Sequence, residues 1–141
     1  MPNRIITAIL WIAAAIFMQT SSADEDVNYH NIAEANSSRT GEVVIRYLRE
    51  LGDSCITVQV LENISEWKVI SSKYFCSIDG LSFMEDLADA HFENISIFND
   101  KISLTLSITP LEPTGEQRLN CFIPITKKIV QEISCADQVS N

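Results

Sequence analysis

The chain has 141 residues, with Lys plus Arg 10 against Asp plus Glu 19, a formal net charge of −9. The length allows one small domain, and the charge argues against binding nucleic acid or docking on anionic lipid. At 46% hydrophobic residues, with four glycines and four prolines, neither a disordered chain nor a collagen-like repeat fits.

Residues 1–23 read as a cleavable signal peptide. Arg4 is the lone early charge, Ile5 to Phe17 is an apolar run short for a membrane span, and Ser21-Ser22-Ala23 supplies small residues before Asp24. An uncleaved anchor is the competing reading. Cleavage removes Arg4 and no acid, which takes the charge to −10 over 118 residues. No later apolar stretch is long enough to cross a bilayer, so the expected product is exported, periplasmic or extracellular, without stable membrane insertion.

All four cysteines, Cys55, Cys76, Cys121 and Cys135, follow the leader. An even count in an oxidising compartment predicts two disulfides. A metal site competes weakly, because no C-x-x-C pair and no neighbouring His cluster is present. No cofactor is implied.

Asp24 to Arg39 is acidic and polar and reads as a flexible lead-in, placing the folded domain at 41–141. Glu42 to Leu51 fits a helix: Val44, Tyr47, Leu48 and Leu51 share a side, Glu42/Arg46 and Arg46/Glu50 are spaced for pairing, and Gly52 sits at a cap position. Val43-Val44-Ile45 suits a strand equally. Ser54–Leu61 and Trp67–Ile78 are strand-like, the first with Ile56, Val58 and Val60 alternating with Cys55, Thr57 and Gln59. A hairpin turning at Ser65-Glu66 opposes residues whose numbers sum to 131, and Cys55 with Cys76 meets that sum, within disulfide reach.

Asp79-Gly80 marks a turn. Ser82 followed by Glu85 reads as a capping box, predicting a helix from Phe83 to about His91 with Phe83, Met84, Leu87, Ala88 and His91 on its apolar side. Beyond it, Ile95–Phe98 and Lys101–Thr109 form a hairpin around Asn99-Asp100, which pairs Ile97 with Ile102 and Ile95 with Leu104. Leu119–Ile125 is a further strand. A three-residue loop at Lys127–Ile129 then brings Cys121 opposite Cys135. The fold expected is α+β: an antiparallel sheet of five or six strands with one or two helices, disulfide-stapled. If Glu42–Leu51 is extended, the result is an all-β sandwich.

The catalytic inventory is thin. His30 and His91 are the only histidines, and nucleophile-elbow, zinc-protease and phosphate-loop motifs are missing. Paired carboxylates for a glycosidase are available, but nothing singles out a pair. The sequons Asn36-Ser37-Ser38, Asn63-Ile64-Ser65 and Asn94-Ile95-Ser96 are glycan sites if the cell is eukaryotic. Pro110 to Gln117, stiffened by two prolines, offers Leu111 as an apolar contact and Glu112 and Glu116 as charge, a loop suited to recognition. The main expectation is a non-enzymatic exported binding protein, an inhibitor or immunity-type protein against a basic enzyme or toxin such as a cell-wall hydrolase. The alternatives are a secreted glycoprotein ligand or receptor-binding protein, and a small carboxylate-dependent hydrolase.

Overall fold

A computed structural model describes residues 27–62 and 67–137; the leader, the Asn63 sequon and the Ser65-Glu66 turn lie outside the described residues. After one turn of 3-10 helix at Tyr29–Asn31, every further regular element among the described residues is a strand. The first sheet is an antiparallel meander of β1 (Ile32–Thr40), β2 (Val43–Glu50), β3 (Ile56–Glu62) and β4 (Lys68–Phe75), hydrogen-bonded in that order. A small hairpin, β5 (Ser77–Ile78) and β6 (Leu81–Ser82), leads into the second sheet. There β7 (Leu87–Phe98), β8 (Lys101–Pro110) and β9 (Gln117–Thr126) follow in order, with β10 (Ile129–Val130) and β11 (Ser134–Asp137) both paired to β9.

The α+β expectation is therefore overturned, and the all-β alternative describes the molecule. Val43–Glu50 is extended because its β-branched run alternates: Val43, Ile45 and Tyr47 are buried while Val44 and Arg46 are half-buried. The charges spaced for helical pairing go elsewhere. Arg46 Nε donates to Gln59 Oε1 at 2.7 Å, and Arg49 Nη1 to Glu34 Oε2 at 2.8 Å. The helix expected over Phe83–His91 is also absent. Ser82 does cap a turn, since Met84 N reaches Ser82 Oγ (3.3 Å) and Asp86 N reaches Ser82 O (3.0 Å), but Ser82 N donates to Asp86 Oδ2 (2.7 Å) rather than to Glu85, and the chain makes one turn and stops. A short isolated helix is marginal, whereas the extended form pairs with β8 along its length and buries Leu87, Ala90 and Phe92.

The lead-in, expected to be flexible up to residue 40, is strand from Ile32. Its sequence carries little apolar alternation. It is pinned through Glu34, which accepts from the Tyr47 hydroxyl at 2.7 Å as well as from Arg49. Burial and the Glu34 carboxylate push the Tyr47 phenol up to about 12.

The two sheets share one core. Ile45, Ile56, Val58 and Val60 face Phe92, Ile102, Leu106 and Ile123, all of them at most 2% exposed. The edges are tied together as well. On one side Val130 N donates to Ser71 Oγ (3.0 Å), Lys128 pairs with Glu62 (2.5 Å) and Lys73 pairs with Glu132. On the other, Thr40 Oγ1 donates to Asn99 O (2.6 Å).

Residues of β3 and β4 oppose each other with numbers summing to 131 from Ile56↔Phe75 to Val60↔Ser71, as the cysteine spacing requires, and Cys55–Cys76 is bonded with Cα atoms 4.7 Å apart. Cys121–Cys135 is the second bond, and those two residues are register partners. The route between them differs from expectation. The turn is two residues, Lys127 and Lys128, both at positive φ, and the register changes after Val130 to bring Cys135 opposite Cys121. In the Asp79-Gly80 turn both central residues likewise have positive φ (48° and 80°), a turn whose twist matches its flanking strands and where glycine costs nothing.

Candidate functional site

The outer face of the second sheet is where titratable side chains converge. Successive rows across β7, β8 and β9 are His91–Ser107–Arg118, Glu93–Thr105–Asn120 and Ser96–Ser103–Phe122. A bulge sets this arrangement. The register shifts between Glu93 and Ser96, so Asn94 and Ile95 together oppose Leu104. The expected Ile95–Leu104 pair is thereby lost, while Ile97 opposes Ile102 as expected.

In the rows nearest the β8–β9 loop, His91 Nδ1 lies 2.9 Å from Asp89 Oδ2 and Nε2 lies 2.9 Å from Glu93 Oε1. Arg118 Nη2 donates to Glu93 Oε2 at 2.9 Å, and its Nε lies 3.6 Å from Glu116 Oε1. The Ser107 hydroxyl donates to Glu116. That bond, helped by Arg118, holds the Glu116 carboxyl below the usual carboxylate range. One atom each from His91, Glu93 and Glu116 lies within 4.8 Å of the others, a spacing that a metal ion could bridge. The guanidinium of Arg118 already supplies the positive charge there, so the arrangement is that of a closed ion-pair network. The same cation engages Glu93 and Glu116 together.

No family model, curated protein or solved structure matches this chain.

Of the loop residues singled out from sequence, Leu111 is 68% exposed, Glu112 is exposed, and Glu116 is exposed but bonded to Ser107 on the sheet. The loop is tight: Thr114 N donates to Glu112 O at 2.7 Å across Pro113, and Gly115 takes a φ of 84° that a side chain would resist. Asn36 is exposed on β1, with its Oδ1 accepting from Ser37 N at 2.8 Å, and Asn94 is exposed at the β7 bulge. The four cysteines form the two bonds described above. Sequence reasoning missed His91, Glu93 and Arg118 as one group. The available signal was the i, i+2 spacing of Asp89, His91 and Glu93, which places three side chains on one face of a strand. Among the described residues, no helix is long and apolar enough to cross a membrane.

His91 gives a pH prediction. A neutral imidazole has one N–H, so hydrogen bonds from both ring nitrogens to carboxylates require the cation. The bond to Glu93, then that to Asp89, raises the His91 pKa against a lowering by partial burial. A raised folded-state value means that the stabilisation is fully present below the ordinary histidine range, about 6.5, and is lost as pH rises through the folded value. We expect thermal stability of the wild type to fall more than that of His91→Gln between about pH 6 and pH 9. Equal pH slopes for the two proteins would contradict this.

Proposed function

We propose that this chain is a secreted glycoprotein ligand or receptor-binding domain that engages a basic protein surface through the loop-side end of its second sheet. The observation that carries the reading is Leu111, an exposed apolar side chain on a tight loop whose other end, Glu116, is anchored to the sheet by Ser107 and Arg118. An anchor on a stiff loop loses little entropy on binding. Around it Asp89, Glu93, Glu112 and Glu116 outnumber His91 and Arg118, so the patch is acidic. An acidic patch speeds encounter with a basic partner and makes it salt-dependent. Two disulfides, three sequons and the leader-like first 23 residues support an extracellular route.

The test uses the secreted chain carrying a photoreactive residue at position 111, or at 81 as an exposed control, applied to cells of its own source. We expect a cross-linked protein from position 111 and none from 81. Asp89→Lys with Glu112→Lys should slow association by about tenfold at low salt, with a smaller effect at high salt. Cross-linking at 81 alone, or association blind to salt and to the reversals, would refute the reading. The identity of the captured band decides between a receptor and a basic enzyme under inhibition.

A further inference from the structure

The half of the same face away from the loop holds a different feature. A shallow concavity of about 360 Å³ is lined by Asn94, Lys101, Ser103, Thr105, Asn120 and Phe122, a volume at the lower end of the ~300–1,000 Å³ of small-molecule sites. Phe122 contributes a ring that is 44% exposed. Leu104 and Cys121 also line it, and the remaining groups are amide, hydroxyl and ammonium.

Asn94 is both the rim of this concavity and the acceptor of the sequon Asn94-Ile95-Ser96. Its position depends on the bulge. Phe92 faces the core and Glu93 faces out, so strict alternation would send Asn94 inward. Instead Asn94 takes a φ of 49°, a left-handed conformation that Asn tolerates better than most residues, and Ile95 packs on the core in its place. The bulge thus puts a modifiable amide on the face beside an uncovered aromatic ring.

We propose that Asn94 carries an N-linked glycan whose first sugar lies in this concavity, with its apolar face on the Phe122 ring and its hydroxyl and acetamide groups toward Lys101, Ser103 and Thr105. Sugar C–H groups carry partial positive charge and are attracted by the negative face of an aromatic ring. The residues around the ring supply donors and acceptors for the sugar's polar edge. The glycan covers this half of the sheet and leaves the loop-side patch as the open part of the face. The inference rests on the secreted-glycoprotein reading, but its failure is separable from the failure of that reading.

The experiment expresses the full chain in a secreting eukaryotic cell and maps glycopeptides before and after peptide-N-glycosidase digestion. Wild type, Ser96→Ala and Phe122→Ser are compared. Ser96→Ala removes the sequon and keeps the Asn that the bulge needs. We expect Asn94 to be occupied in the wild type and empty in Ser96→Ala. Enzymatic removal of the glycan should lower the wild-type melting temperature by about 4 °C and change that of Phe122→Ser much less. An unoccupied Asn94 in a chain secreted with glycan at Asn36 or Asn63 would overturn this inference alone, as would an equal loss in wild type and Phe122→Ser. A chain that is retained in the cell would overturn the secreted-glycoprotein reading and this inference with it.

Discussion

Phe92→Ala is expected to destabilise the domain by about 3–5 kcal/mol, the usual cost of emptying a buried aromatic site. Phe92 is 2% exposed and meets Phe83 edge-on, with ring centroids 5.6 Å apart and planes at 70°. Phe83 itself is held by the turn that follows β6, where its N–H donates to Cys76 O at 3.0 Å. The pair therefore joins the small hairpin to the core. A small domain has about 5–15 kcal/mol in all, so the variant sits close to unfolding. Urea titration should show a lower midpoint with an unchanged slope. Phe98→Ala is the control: Phe98 is 62% exposed, and its truncation should stay within about 0.5 kcal/mol. A Phe92→Ala midpoint no lower than that of Phe98→Ala would contradict the packing described.

The sheets were legible wherever one signal fixed both strand and register. Cys55 and Cys76 set the β3–β4 pairing as far as Val60, beyond which the register shifts by one, and Asn99-Asp100 set the start of the β7–β8 pairing as far as Ser96. Local capping and charge spacing point to two helices only because they carry no trace of the long-range partner that overrides them. In β2 that partner is β3; in β7 it is β8. The charged cluster was illegible for a subtler reason. Carried past the bulge, the register set by Asn99-Asp100 would oppose Ser107 with Phe92 and send His91 to the core side. The extra residue at Asn94–Ile95 shifts the count by one, and a shift of one exchanges the two faces of a strand. His91 then opposes Ser107 on the outer face while Phe92 turns inward. Nothing in the local sequence marks that bulge apart from an Asn able to adopt positive φ. β1 was missed because an edge strand with one wet face needs little apolar pattern, and Glu34 holds it through Tyr47 and Arg49.

The two disulfides are expected to fail differently. Cys55–Cys76 ties residues 21 apart between the paired strands β3 and β4, and Cys55 is 1% exposed within the core. Replacing both with Ala should cost about 3 kcal/mol of global stability from loop closure alone, before any packing loss at Cys55. Cys121–Cys135 ties residues 14 apart and pins β11, whose only strand partner among the described residues is β9. Loop closure predicts a similar figure, about 3 kcal/mol, but the strand it releases is four residues long and paired on one side to β9 among the described residues, so much of that loss should appear as local opening. Cys121→Ala/Cys135→Ala is therefore expected to exchange the amides of Ser134–Asp137 rapidly while those of β3 and β8 stay protected. Cys55→Ala/Cys76→Ala should lower protection throughout both sheets. Hydrogen–deuterium exchange read by peptide mass distinguishes these outcomes, and loss of protection in β3 from the Cys121–Cys135 variant equal to that from the Cys55–Cys76 variant would show that the second bond also clamps the core.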